Sequence, residues 1–199
     1  MKTLIVKLTF LQDILGTAPN DEEIYANYIA SKSPDASTIS EEVAAVGVDE
    51  VTEKGTTVFP RDENGNPFIY DYQIKGFFKD ACGMLSRVKT TESSKLKAYK
   101  KVIDGLVFAE PRKIEIETDD EITICQRPLR AQTAQGERVA LASSEQIKAG
   151  ASITFTIRTL QDSLVTTIKE WLDYGKLRGL GQWRNSGMGK FDFEVLEEK

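Results

Sequence analysis

The chain opens on a clean alternation. Leu4, Val6, Leu8 and Phe10 fall on one side and Thr3, Lys7 and Thr9 mostly on the other, which predicts a half-buried strand over residues 3–11. Between Tyr72 and Arg87 the period lengthens. Ile74, Phe77, Phe78, Ala81 and Leu85 recur at i, i+3, i+4, i+7 and i+11, the pattern of one buried helix face. Gly76 and Gly83 lie inside that helix at a cost of roughly 1 kcal/mol each relative to alanine, so close packing or a ligand explains them better than propensity. Alternation returns in Arg112–Glu117 and Glu121–Gln126 around Ile114, Ile116, Ile122 and Ile124, with Thr118-Asp119-Asp120 as the turn of a hairpin. It returns again in Ser152–Leu160 through Ile153, Phe155 and Ile157. Asp162 or Ser163 can cap a second helix whose stripe is Leu164, Val165, Ile168, Trp171 and Leu172, and Phe191, Phe193 and Val195 mark a closing strand. Asn64-Gly65-Asn66-Pro67 is a strong turn signal, and with Thr57-Val58-Phe59 and Phe68-Ile69-Tyr70 on its flanks it predicts a further short hairpin.

The order is strand, helix, strand pair, strand, helix, strand. It predicts an α+β fold with a ferredoxin-like (RRM-like) βαββαβ core, an antiparallel sheet and an extra hairpin, as one domain over residues 1–199. Two stretches stand outside this plan. Residues 16–57 are acidic and rich in Ser, Thr, Pro and Ala, an inserted subdomain with short helices expected at Asp21–Ser31 and Ser40–Val46. Residues 127–150 read as a long polar loop containing Arg127, Arg130 and Arg138, and residues 90–101 as a mobile basic segment.

Composition narrows the chemistry. No apolar run approaches the roughly 18 residues of a membrane span, and no secretory signal is present, so a soluble cytoplasmic protein with no membrane partner is expected. The chain has no histidine, which excludes Ser-His-Asp and Cys-His catalysis, histidine acid–base ribonuclease mechanisms and the common zinc sites. Cys82 and Cys125 have neither a CxxC neighbour nor a histidine to share a metal, and they read as buried thiols. No cofactor, metal site or catalytic residue is expected from this inventory.

A net charge of −5 speaks against binding phosphate, but its distribution reverses the point. Residues 1–60 carry four Lys/Arg against ten Asp/Glu, whereas residues 71–113 carry ten cations against five anions. A second concentration of chemistry lies near the C-terminus. Residues 175–189 hold five of the fourteen glycines together with Lys176, Arg178, Trp183, Arg184 and Asn185, a backbone-exposing loop whose cations and indole suit anionic, stackable ligands. It is not a P-loop, because Gly189-Lys190 is followed by Phe191 and Arg184 stands where the first glycine belongs. Nor is it a dinucleotide fingerprint, since Gly179-x-Gly181 lacks the third glycine and leads into a strand. Ser186–Phe193 partly matches an RNA-recognition strand, with Phe191 and Phe193 expected in the core and Trp183 the better stacking residue.

Two segments together resemble the RAMP proteins of CRISPR effector complexes. Phe68-Ile-Tyr-Asp-Tyr-Gln-Ile-Lys75-Gly76-Phe-Phe-Lys79 is similar to that family's strand-to-helix motif ending in Lys-Gly, and Phe59-Pro-Arg-Asp-Glu-Asn-Gly-Asn-Pro67 to its approach. Gly179-Leu-Gly181-Gln-Trp-Arg184-Asn-Ser-Gly187-Met-Gly189 is similar to the family's glycine-rich loop before a last strand. The nearest kin in this reading are the backbone subunits that polymerise along guide RNA. Asp71-Tyr72-Gln73 departs from the family's small residues there, and the family's processing histidine is missing. The 16–65 segment and Phe77-Phe-Lys-Asp-Ala-Cys-Gly-Met84 also look like a family of small phage or prophage proteins.

The resemblance implies a non-enzymatic protein that binds single-stranded nucleic acid, RNA preferred over DNA, in a phage-encoded or CRISPR-associated setting. Lys75, Lys79, Arg178, Arg184 and Lys190 would neutralise phosphate; Gly76, Gly179, Gly181, Gly187 and Gly189 would let a strand approach; Trp183 would stack and Asn185 would contribute hydrogen bonds. Self-association or other protein subunits are further expected partners. Two alternatives stand beside this one. The first is a protein-interaction or assembly module that has lost RNA binding and uses its acidic insertion as the contact. The second is a metal-dependent ribonuclease using Asp13, Asp21 or Asp71.

Overall fold

In a computed structural model, described over residues 1–20, 56–133 and 136–199 with backbone alone at 129–133 and 136–140, the opening alternation forms β1 (Lys2–Phe10). Leu4, Val6, Leu8 and Phe10 are all buried on one face. β10 (Ser152–Thr159) runs antiparallel along one side of β1 and β11 (Phe191–Glu198) along the other. The register sets Leu8 between Phe193 and Ile153, and Val6 between Val195 and Phe155. The far side of β10 carries both β6 (Val107–Glu110) and β7 (Lys113–Glu117), and β7 carries β5 (Phe68–Tyr70) at the edge. Every pairing in this sheet is antiparallel, and the architecture is α+β.

The helices cover the apolar face as their periods require. α1 (Asp71–Leu85) buries Ile74, Phe77, Phe78, Ala81 and Cys82, and α3 (Leu164–Asp173) buries Leu164, Val165, Ile168, Trp171 and Leu172. Phe78 meets Trp171 at 5.4 Å between ring centroids, and Phe77 meets Phe191 edge-on at 5.1 Å. The short helix α4 (Gly175–Arg178) begins on a glycine because a Cβ there would lie 2.2 Å from the Phe191 ring. Phe191 is core, whereas Phe193 is only half-buried.

Four expectations are corrected. The strand at 113–117 does not turn back on 121–126: Ile114 and Ile116 are buried, while Ile124 is 56% exposed and belongs to β8 (Thr123–Thr133). The loop expected over 127–150 is instead the body of a ribbon, β8 paired residue by residue with β9 (Gly136–Ile147). A ribbon of this kind is held by backbone bonds, and Gln126, Arg127, Ser143 and Ser144 give it no period-2 apolar signal. The hairpin expected around Asn64-Gly65 keeps its turn, where the Asp62 carboxylate accepts the N–H of Asn64 and Asn66, but its flanks part. β4 (Thr57–Val58) pairs with β3 (Ala18–Pro19) and β9, while β5 pairs with β7, leaving one bridge between Arg61 and Pro67. Residues 90–101 are a 3-10 turn at Ser93–Lys95 leading into α2 (Tyr99–Leu106). Glu170 holds that turn by accepting the Glu92 and Ser93 N–H groups and the Ser93 hydroxyl, and Trp171 Nε1 donates to Ser93 Oγ at 2.9 Å.

Two compact units result, one of residues 1–14, 60–121 and 147–199, the other of residues 15–59 and 122–146. β2 (Ile14–Leu15) also pairs with β9, and within the second unit buried Arg127 donates to Ser144 Oγ at 2.9 Å. The helices expected at Asp21–Ser31 and Ser40–Val46 lie outside the described residues. Among the described residues no helix is long and apolar enough to cross a membrane.

Candidate nucleic-acid interface

With the apolar face of α1 committed to the core, the wheel fixes what points away. At about 100° per residue, Tyr72, Gly76, Lys79 and Gly83 share the side opposite the buried stripe. Gly76 is bare: nothing lies within 4 Å of the point where a Cβ would stand. Gly83 is filled from outside, its Cβ point 2.9 Å from the Tyr99 hydroxyl. Close packing therefore accounts for Gly83 and not for Gly76.

One flank of this face is paired at intervals of four residues, against positions also four apart that run back from the link before β7 through β6 into α2. Asp71 takes an ion pair from Arg112, the Lys75 ammonium sits 4.7 Å from the centroid of Phe108, and Lys79 pairs with Asp104. Lys75 and Lys79, both expected at phosphate, thus also tie α1 to β6 and α2. Arg112 further lies 5.3 Å from the centroids of both Tyr70 and Tyr72, which stack at 5.2 Å with planes 17° apart.

The other flank carries Asp80. Arg178 donates from Nε at 2.8 Å and Arg184 from Nη1 at 2.9 Å to the same carboxylate oxygen, and Arg178 also holds Asn185 Oδ1 at 2.7 Å. Partial burial pushes the Asp80 carboxyl up, but the hydrogen bonds and charges of the two guanidiniums outweigh it and hold the group below its ordinary 3.8. The hydrogen bond to Asp80 in turn raises Arg178, against a smaller lowering by burial. Two cations on one carboxylate leave the cluster a positive charge in excess.

The loop's glycines answer first to its own folding. A Cβ on Gly179 would lie 2.5 Å from the Met188 carbonyl oxygen, and one on Gly189 would lie 1.9 Å from that of Leu180. The two strands of the loop cross at backbone contact, sealed by Leu180 N–H donating to Gly189 O at 2.8 Å, with Gly189 N–H donating to Asp13 O at 2.8 Å. Gly181 and Gly187 also take positive φ, 79° and 90°. Trp183 is left-handed at φ 55° and 36% exposed on the turn before Arg184. Lys190 is half-buried, and its carbonyl accepts the Leu11 N–H at 2.7 Å.

The structure therefore brings Arg178 and Arg184 together on Asp80, with Asn185 held by Arg178, on the flank of α1 across from Lys75 and Lys79. Asp80 and the Tyr70–Tyr72–Arg112 group are not foreseen from sequence; the Tyr70-x-Tyr72 spacing at the strand-to-helix junction is the one local signal. Asp13 accepts Ala149 N–H at 2.9 Å and Lys148 Nζ at 3.3 Å, Asp71 is engaged by Arg112, and Asp21 lies outside the described residues. Among the described residues no three His, Cys, Asp or Glu side chains gather as a metal-holding group.

No family model and no curated protein matches the chain. A solved structure does: a chain in type III-B Cmr-beta bound to cognate target RNA, at TM-score 0.53 and 13% identity. All of this chain is covered and 60% of that one, so the likeness is one of fold over part of a longer protein.

Proposed function

We propose that this protein binds single-stranded nucleic acid, RNA preferred, along the outward face of α1 and the adjoining glycine loop. The strand order β11-β1-β10 with β6 and β7 beyond, and helices α1 and α3 on one face, is read as a ferredoxin-like core of the RAMP type. The observation that carries the reading is the convergence of Arg178 and Arg184 on a single acidic group beside the bare backbone of Gly76. Guanidiniums arranged to grip one carboxylate are arranged to grip a phosphodiester, and a glycine floor lets a sugar-phosphate backbone come close. The fold's likeness to a chain of an RNA-bound assembly agrees with this.

The test is anisotropy of labelled single-stranded RNA against salt. Arg184→Ala is expected to weaken binding about tenfold and flatten the salt slope, and Trp183→Ala to weaken it by a similar factor through lost stacking. Absence of binding by the purified protein at low salt would overturn the reading. It would favour instead an assembly module, the reading consistent with cations already satisfied internally, as Lys79 is by Asp104 and Arg178 by Asp80.

A further inference from the structure

We infer that Tyr72 and Arg112, backed by Tyr70, form a base-stacking platform that receives an unpaired nucleobase of the same strand at the amino-terminal end of α1. The inference rests on the proposed function and extends it to a site outside the glycine loop. Three observations carry it.

The first is placement. Tyr72 lies one helical turn before Gly76 on the same outward face, about 6 Å along the axis, and about 12 Å before Asp80. A strand gripped by Arg178 and Arg184 and crossing Gly76 therefore runs toward Tyr72. The second is rigidity. Tyr70 and Tyr72 stack at 5.2 Å, Phe68 supports Tyr70 edge-on at 5.0 Å, and Phe68 is itself 3% exposed, so the rings stand on the core. Arg112 is held by Asp71 and lies 5.3 Å from each tyrosine centroid, while its side chain stays 65% exposed. A planar cation fixed on aromatic rings with its other side in solvent offers both stacking and charge to a base and its phosphate. The third is that β5 is the edge of the sheet, so among the described residues no further strand pairs beyond it on that side. Tyr72 is 37% exposed, an unusual outlay of aromatic surface for a helix face whose neighbours are glycine and lysine.

A base platform separates from a charge patch by what it reads. Stacking needs the base; phosphate contacts do not. The experiment compares wild-type binding of a single-stranded oligouridine with an abasic oligonucleotide of equal length and charge, each also measured with Tyr72→Ala, Tyr72→Phe and Arg184→Ala. The expected result is tighter binding of the base-bearing strand, a fivefold to hundredfold loss of that binding in Tyr72→Ala, and near-wild-type binding in Tyr72→Phe. Affinity of Tyr72→Ala for the abasic strand should stay within about twofold of wild type, which also shows that the variant is folded. If Tyr72→Ala binds oligouridine as wild type does while Arg184→Ala loses it, the platform is overturned and the proposed function survives. If neither oligonucleotide binds wild type, both fall together.

Discussion

Asp80 meets two guanidiniums where the proposed ligand would place a phosphate, so it acts as an internal competitor. Neutralising it as Asp80→Asn is expected to tighten RNA binding and steepen the dependence of log K on log salt by about 0.7, one further phosphate on a single strand. Unchanged affinity in that variant would place the strand elsewhere. The same carboxylate sets an acid limb for stability. Its folded pKa lies below 3.8, so its contribution is complete above that value and disappears as pH falls through the lower folded one. Asp192 and Glu198 are lowered too, the first mainly by the Phe193 N–H and the second by Lys169, so all three groups titrate on this limb. Equilibrium unfolding in urea should accordingly show a shallower loss below about pH 4 in Asp80→Asn than in wild type, not its abolition. The role of Asp80 is invisible in sequence because its partners stand 98 and 104 positions away, and nothing in Lys79-Asp80-Ala81 distinguishes it from any solvated helix carboxylate. Arg184 and Trp183 could be singled out because glycines isolate them.

At the scale of elements, two glycines with the same letter do opposite things. Gly189 has φ 68° and a Cβ point 1.9 Å from a carbonyl oxygen, so Gly189→Ala must open the crossing of the loop and move Arg184 away from Asp80. Gly76 stands in open space within a helix, so Gly76→Ala should raise stability by up to about 1 kcal/mol. If the bare helix face is where a strand lies, the added methyl should weaken RNA binding in a protein that melts higher, and Gly189→Ala should weaken both. Thermal melts beside binding isotherms decide it; a more stable Gly76→Ala with undiminished binding would remove the helix face from the interface. Elements that bury one face were legible: β1, β10, α1 and α3 all follow their apolar periods. The β8–β9 ribbon was not, since residue-by-residue backbone pairing holds it and the buried positions Arg127, Ser143 and Ser144 are polar, which gives no apolar alternation to read. The 118–120 turn misled for a related reason: Ile122 and Ile124 extend the alternation of Ile114 and Ile116, but the chain leaves the first sheet between them.

For the molecule as a whole, the obstacle to an RNA-binding role is charge. A chain at −5 repels a polyanion at long range even where a local cluster attracts it, and the negative balance sits before position 60, where ten Asp/Glu face only four Lys/Arg. Replacing the nine Asp and Glu between positions 21 and 53 by Asn and Gln would bring the net charge from −5 to +4 without touching α1 or the glycine loop. If those carboxylates act only through their field, affinity for single-stranded RNA should rise severalfold at about 0.01 M salt, where the screening length is about 30 Å. At about 1 M salt, where that length is about 3 Å, the variant and wild type should converge. Loss of binding in the variant at every salt concentration would show instead that the segment contributes to the interface itself, and the strand would then have to reach beyond the face of α1. Faster association without slower dissociation in stopped-flow traces is the kinetic form of the same expectation, because steering changes the rate of encounter while the proposed contacts of Arg178, Arg184 and Trp183 would govern release.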